Sequence, residues 1–178
     1  ANLAGSSKHG GVLALMGDDH TPESSTNAHA TEFLFVDTMI PILNPAGVQE
    51  IIDYGLLGFA LSRFAGTWAA IKCVKDNIES TGSVNAALSR ISIKVPEFEM
   101  PAGGLNIRPE LDQLGQEARL HEYKRAAAAA FIRANGLNHI VYSGGRQAKI
   151  GIISSGKSFL DVRQALDDLG IGEKEANR

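Results

Sequence analysis

Cysteine occurs once in these 178 residues, at Cys73, so no disulfide and no four-thiolate zinc or iron–sulfur site can close within the chain. That thiol lies in the apolar run Trp68 to Val74 and reads as a small core residue. No segment approaches the roughly 20 apolar residues that a membrane span needs. Positive charge is also scarce: 17 Lys and Arg face 20 Asp and Glu, a net charge of -3 with a pI near 6.0. This balance carries no electrostatic footprint for nucleic acid. A cytoplasmic α/β protein with neither a nucleic-acid nor a membrane partner is the expectation. Hydrophobic residues make up 44%, enough for one core. At about 100–200 residues per domain, the length suits one domain or one and a fraction.

The organising stretch is Gly11 to Asn27, an apolar run that stops in a cluster of small, polar and acidic residues. Val12 to Met16 reads as a short strand buried on both faces, as in parallel sheets. Gly17 permits a sharp turn, Asp18, Asp19 and His20 arrive together, and Thr21-Pro22-Glu23 suits a helix start. Ligands of open α/β sheets sit beyond the carboxyl ends of the strands, so this turn is where chemistry is expected.

Further along, Ala28 to Met39 is densely apolar and reads as a helix ended by Pro41. Ile42 and Leu43 make a short strand, and Asn44-Pro45 is a second cap-plus-proline start. Val48, Ile51, Ile52, Leu56, Phe59 and Ala60 then recur at helical spacing, with Gly66 as the stop, and Trp68 to Val74 is the next strand. This alternation implies a parallel sheet with right-handed crossovers. Residues 85–136 form an extended connector, with one exposed strand at Ile91 to Val95, and a long helix over Leu111 to Ala134 that ends at Asn135-Gly136. From about residue 137 a second α/β unit begins. Its strands are Ile140 to Tyr142 and Ile150 to Ile153, separated by Ser143 to Arg146, and its helix carries Phe159, Val162, Leu166 and Leu169. The first strand has no partner strand before it and the last helix has no layer to complete, so an internal piece of a longer polypeptide is expected.

Two motif matches compete with simpler readings. Gly151 to Ser158 satisfies the P-loop pattern and opens the alternative of a nucleotide-binding protein. Its first intervening residues are Ile, which prefer a strand to a phosphate-cradling arch; the simpler reading is a strand-to-helix turn capped by Ser154 or Ser155. Gly17-Asp18-Asp19, followed after twenty-four residues by Asn44, offers oxygen ligands of the kind Mg²⁺ takes. Its third position is not Gly, and Asn44 serves equally as a helix cap.

The phrases HGGVLALMGDDHTPESSTNAHATEF, IPILNPAGVQEIIDYGL, LSRFAGTWAAIKCV and KIGIISSGKSFLDVRQALDDLGI resemble the thiamine-diphosphate-dependent 2-oxoacid:ferredoxin oxidoreductases, closest to the long fused indolepyruvate group. The resemblance covers about residues 1–84 and 97–171. It implies that residues 1–84 are the later half of a pyrimidine-type thiamine-diphosphate-binding domain. Residues 85–136 are then the connector and helix, and residues 137–178 the beginning of a transketolase-C-terminal-like α/β domain.

The same resemblance implies an oxidoreductase that oxidatively decarboxylates a 2-oxoacid, in that group an aryl pyruvate such as indolepyruvate, to an acyl-CoA. Coenzyme A and ferredoxin are its partners, and a homo-oligomer is its expected state. Thiamine diphosphate with Mg²⁺, and 4Fe–4S clusters, belong to the parent enzyme. None is expected to bind tightly to this piece, which is expected to be inactive alone. No metal ligand and no catalytic residue is assigned. Asp18, Asp19, His20, Ser24 and Ser25 are the candidates for the cofactor and substrate pocket: the imidazole to meet a carboxylate or oxyanion, the hydroxyls to donate to it. Turn, cap and surface duty are the competing roles of the same residues. A non-catalytic α/β interaction module is the competing class, because unfinished sheet and helix faces call for covering neighbours.

Overall fold

The computed structural model describes residues 1–23, 25–110, 112–145 and 148–176, with Leu88 described by its backbone only. It is an α/β structure around a small parallel sheet of three strands: β1 (Leu13–Asp18), β2 (Ile42–Leu43) and β3 (Ala69–Val74), in the order β1-β3-β2. Leu13 to Asp18 run in register with Ala69 to Val74, and Ile42-Leu43 with Ala70-Ile71. β1 is longer than expected, carrying Gly17 and Asp18 in the ladder, so the turn begins at Asp19.

The helix α2 (Val48–Ala65) covers one face of the sheet and buries Leu57, Leu61 and Ala65, a stripe at fourfold spacing. Gly58 lets it lie close, since a β-carbon there would sit 2.6 Å from Leu13 Cδ1. The helix is apolar on more than one side, so periodicity chose the wrong stripe: Ile52, Leu56 and Phe59 are exposed. Its start also differs. Gly47, not Asn44, occupies the cap, and Glu50 reaches back 2.7 Å to accept from the Ala46 N–H. Gly66 ends the helix in the left-handed conformation, as expected.

The long helix is three pieces in succession: α4 (Gln113–Arg119), one π-helical turn (Leu120–Lys124) and α5 (Arg125–Ala134). Leu111, its expected first residue, lies outside the described residues, and Asp112 caps α4 by accepting from the Gly115 N–H. Ala127, Ala128 and Phe131 of α5 pack on α2, with Leu105 of the connector sealing the cluster. Phe64 is held between Phe98 (6.3 Å, edge-on) and Phe131 (5.9 Å). The π turn brings Lys124 into this interior, where its ammonium donates to the carbonyls of Leu3 (3.2 Å) and Ala4 (3.3 Å).

The expected strand at Ile91 to Val95 does not form. The side-chain amide of Asn135 instead exchanges two 2.8 Å hydrogen bonds with the Lys94 backbone, doing locally what a strand partner would do. The helix expected from Thr21 is turn structure. The helix expected over Ala28 to Met39 is only α1 (Glu32–Asp37), which buries none of its residues. After β3 comes the single turn α3 (Lys75–Ile78).

The strands expected at Ile140 to Tyr142 and Ile150 to Ile153 are absent. Ile140 and Ile150 are almost bare and Ile153 is 100% exposed. An alternating or apolar run becomes a strand only where a ladder partner accepts it, and among the described residues none lies beside these. The helix that follows does form, as α6 (Lys157–Asp168), with a final turn α7 (Glu173–Ala176). No described helix is long and apolar enough to cross a membrane.

Candidate functional site

The carboxyl ends of all three strands point the same way, and the polar residues following each gather there. After β1, Asp18 turns to the sheet face opposite α2, with its side chain wholly buried. Its Oδ1 accepts from the Thr31 backbone N–H (2.9 Å) and hydroxyl (2.6 Å), while Oδ2 lies 3.5 Å from Lys72 Nζ. Burial by itself would raise this carboxyl. The Thr31 hydrogen bonds and the Lys72 charge more than offset it, so Asp18 is held below the ordinary carboxylate range. Lys72 also pairs with Glu32 at the start of α1. One lysine on the central strand thus joins the turn to the helix that follows it.

Asp19 closes the turn on itself. Its Oδ2 accepts from the Ser25 N–H (2.9 Å) and its carbonyl from the His29 N–H (3.1 Å), an isolated antiparallel bridge. His20 is about half exposed and lies 3.8 Å from Asp76 of α3, and Glu23 pairs with Lys75. Between the turn and α3 is a cleft of about 310 Å³ lined by Asp18, Asp19, Glu23, Lys75, Ile78 and Glu79. A shallower depression of about 240 Å³ is lined by His20, Ala28, His29 and Ala30. Of the sequence candidates, Asp18, Asp19 and His20 therefore border concave surface. Ser25 serves Asp19 through its backbone, and Ser24 lies outside the described residues.

After β2, Asn44 donates to Ser155 Oγ at 3.0 Å. Gly156, the residue before α6, packs against that amide with φ +59°, where a β-carbon would lie 2.4 Å from Asn44 Oδ1. Only glycine fits this conformation and this contact. Neither Ser154 nor Ser155 caps α6, and Asn44 caps no helix. Lys157 is taken up by Asp161, with oxygens at 2.7 and 2.9 Å that hold its ammonium above the usual lysine range. With no strand ahead of it among the described residues and its lysine turned along its own helix, Gly151 to Ser158 is not built as a phosphate-cradling P-loop. Asp18, Asp19 and Asn44 each serve a different partner, and the described residues hold no group of three or more His, Cys, Asp or Glu side chains placed for a metal ion. Cys73 is half buried, and burial pushes its thiol up, away from nucleophile chemistry.

The residues that sequence reasoning missed are Lys72, Thr31, Glu32 and the α3 pair Lys75 and Asp76. A signal for Lys72 was present: it is the lone charge in the otherwise apolar strand Ala69–Val74, and a charge within a buried strand needs a partner.

These features define an α/β chain whose polar turns converge at one end of a parallel sheet. Residues 140–178 match the indolepyruvate oxidoreductase domain family. Over 168 residues, 92% of its length, the chain is 27% identical to the indolepyruvate oxidoreductase subunit IorA of Pyrococcus horikoshii and 26% identical to that of Pyrococcus abyssi. The IorA subunit of Archaeoglobus fulgidus is 25% identical over 91% of the chain. The chain is thus similar to the indolepyruvate oxidoreductase subunits, in keeping with its sequence phrases, and it spans about a quarter of the length of these curated relatives. No solved structure matches it.

Proposed function

We propose that this chain is one part of a longer oxidoreductase that oxidatively decarboxylates a 2-oxoacid, an aryl pyruvate such as indolepyruvate, to an acyl-CoA with ferredoxin as electron acceptor. The observation that carries this reading is the relationship to indolepyruvate oxidoreductase subunits over nine tenths of the chain. The convergence of polar turns at the carboxyl end of the sheet supports it. In the proposal, residues 1–84 contribute to a thiamine-diphosphate-binding domain of pyrimidine type, and residues 137–178 open a transketolase-C-terminal-like domain. The whole enzyme works in the cytoplasm as a homo-oligomer.

The residues present do not fit the cofactor's diphosphate. The cleft is bordered by the carboxylates of Asp19, Glu23 and Glu79, with that of Asp18 buried beneath, and by one ammonium, Lys75, already paired with Glu23. An anion in that setting meets repulsion. A single cysteine likewise cannot hold a 4Fe–4S cluster. Diphosphate, Mg²⁺ and clusters are therefore assigned to other parts of the parent. The contribution of this chain is a wall: His20 and the Asp19 turn, fixed from below by Asp18, Thr31 and Lys72, face the space where substrate would lie.

The test uses the full-length enzyme with a panel of 2-oxoacids, and ferredoxin or a viologen dye as acceptor. Turnover of aryl pyruvates is expected, with His20→Ala raising KM or lowering kcat about tenfold or more. Absence of 2-oxoacid oxidation overturns the reading, and unchanged kinetics in His20→Ala removes that residue from the wall.

A further inference from the structure

The outer edge of β1 and one stripe of α2 are left unmatched on the same side of the molecule. The Ala69 N–H donates to the Val12 carbonyl at 3.0 Å, so by the alternation of a parallel ladder Ala14 and Met16 also face β3. Leu13, Leu15 and Gly17 then turn their N–H and C=O groups outward. Among the described residues no backbone hydrogen bond reaches them. Natural edge strands are blunted by charge, proline, bulges or brevity. The other edge, β2, is two residues long, whereas Leu13 to Gly17 is five residues of LALMG with none of these devices.

Leu15 is 73% exposed although its side chain shares the face of Leu13, which is partly buried against the core. The stripe that α2 leaves uncovered, Ile52, Leu56 and Phe59, is on this side and not on the β2 side. Gly11, just before β1, lies so close to Phe59 that a β-carbon on it would sit 3.1 Å from the Phe59 carbonyl and 3.4 Å from its ring. A free row of main-chain donors and acceptors beside an apolar helix stripe specifies its complement. An extended segment adds to the ladder, and an apolar helix or its equivalent closes over the stripe.

We infer that a strand-and-helix unit from elsewhere in the same longer polypeptide completes the sheet at the outer edge of β1 and covers Leu15, Ile52, Leu56 and Phe59. The inference rests on the reading of the chain as one part of a longer enzyme, supported by relatives of which it spans a quarter. It goes beyond that reading in naming the seam and the backbone groups that make it. β1 becomes an interior strand, which holds the Asp18 turn from both sides.

Residue-resolved hydrogen–deuterium exchange on the chain alone and on the longer polypeptide that carries it tests the seam. In the longer polypeptide the Leu13, Leu15 and Gly17 amides should exchange about a hundredfold more slowly, while the Ala14 and Met16 amides are protected in both. Leu15→Pro deletes an amide that β3 does not use, so the chain alone should keep its circular dichroism spectrum. In the longer polypeptide the same change should return Leu13 and Gly17 to fast exchange. Equal rates in the two contexts overturn the inference, as does a gene that encodes no further strand. Protection in the chain alone that grows with concentration, together with a dimer mass, overturns it too and gives the edge to a second copy. The seam and the chemistry fail separately: slow outward amides without 2-oxoacid turnover would leave the seam standing and remove the proposed activity.

Discussion

Residues 69–74 are a mostly apolar run, as are residues 140–142 and 150–153, and the two regions end in opposite states. In the first, Ala69, Ala70 and Ile71 are buried between β1, β2 and α2, and the strand forms over its expected length except for Trp68. In the second, Ile140, Ile150, Ile152 and Ile153 remain in water and no ladder forms among the described residues. The difference is the neighbourhood, since a strand's backbone groups are satisfied by another strand and not by its own sequence. An apolar run is thus a request for a partner, met in one region and unmet in the other.

Truncating each region should separate them most widely. Phe131→Ala removes a fully buried ring from the contacts of α5 with α2 and Phe64, and should cost about 3–5 kcal/mol in urea unfolding. Ile153→Ala should stay within about 0.5 kcal/mol. Similar losses at the two positions would break the contrast. A smaller effect probes the join between the sheet and its polar end. Asp18→Asn leaves Lys72 with Glu32 alone and should cost about 2–3 kcal/mol. Because Asp18 is held below its ordinary value of 3.8, its contribution is present above that pH and is lost as pH falls through the folded value; Asp18→Asn should flatten this acid limb.

The smallest effect sharpens the account of the well-packed region. Burial, with a minor push from Arg119, lowers Lys124 to about 8 from 10.5. The unfolded chain then binds the extra proton between those values, so stability should rise with pH from about 8 to 10.5. Thermal melts across that range should show the rise, and Lys124→Met should abolish it. A profile that falls with pH would mean that the ammonium gains more from the Leu3 and Ala4 carbonyls than burial costs it.

Much of the sheet was legible in advance. Val12 to Met16 and Trp68 to Val74 are strand-forming runs bounded by turn residues, and both strands form nearly where the pattern puts them. The helix α2 was legible as a helix but not in its orientation, because Ile52, Leu56 and Phe59 compete with Leu57, Leu61 and Ala65 for the core. Of the site, the Asp18–His20 turn could be read from its composition. Its supports could not: Lys72 is 54 residues from Asp18, and only the register of β1 on β3 brings them to 3.5 Å. Asn44 reads locally as a cap, yet it is drawn away by Ser155, 111 residues distant.

Sequence alone determined where the chain can be strand, helix or turn, and that a polar turn follows the first strand, because these depend on side-chain period, glycine, proline and caps within a few residues. Tertiary structure decided which runs became strands, which stripe of α2 was buried and which partners fixed Asp18 and Asn44. Those outcomes depend on ladder partners, packing faces and ion pairs supplied from far along the chain, which no local pattern encodes.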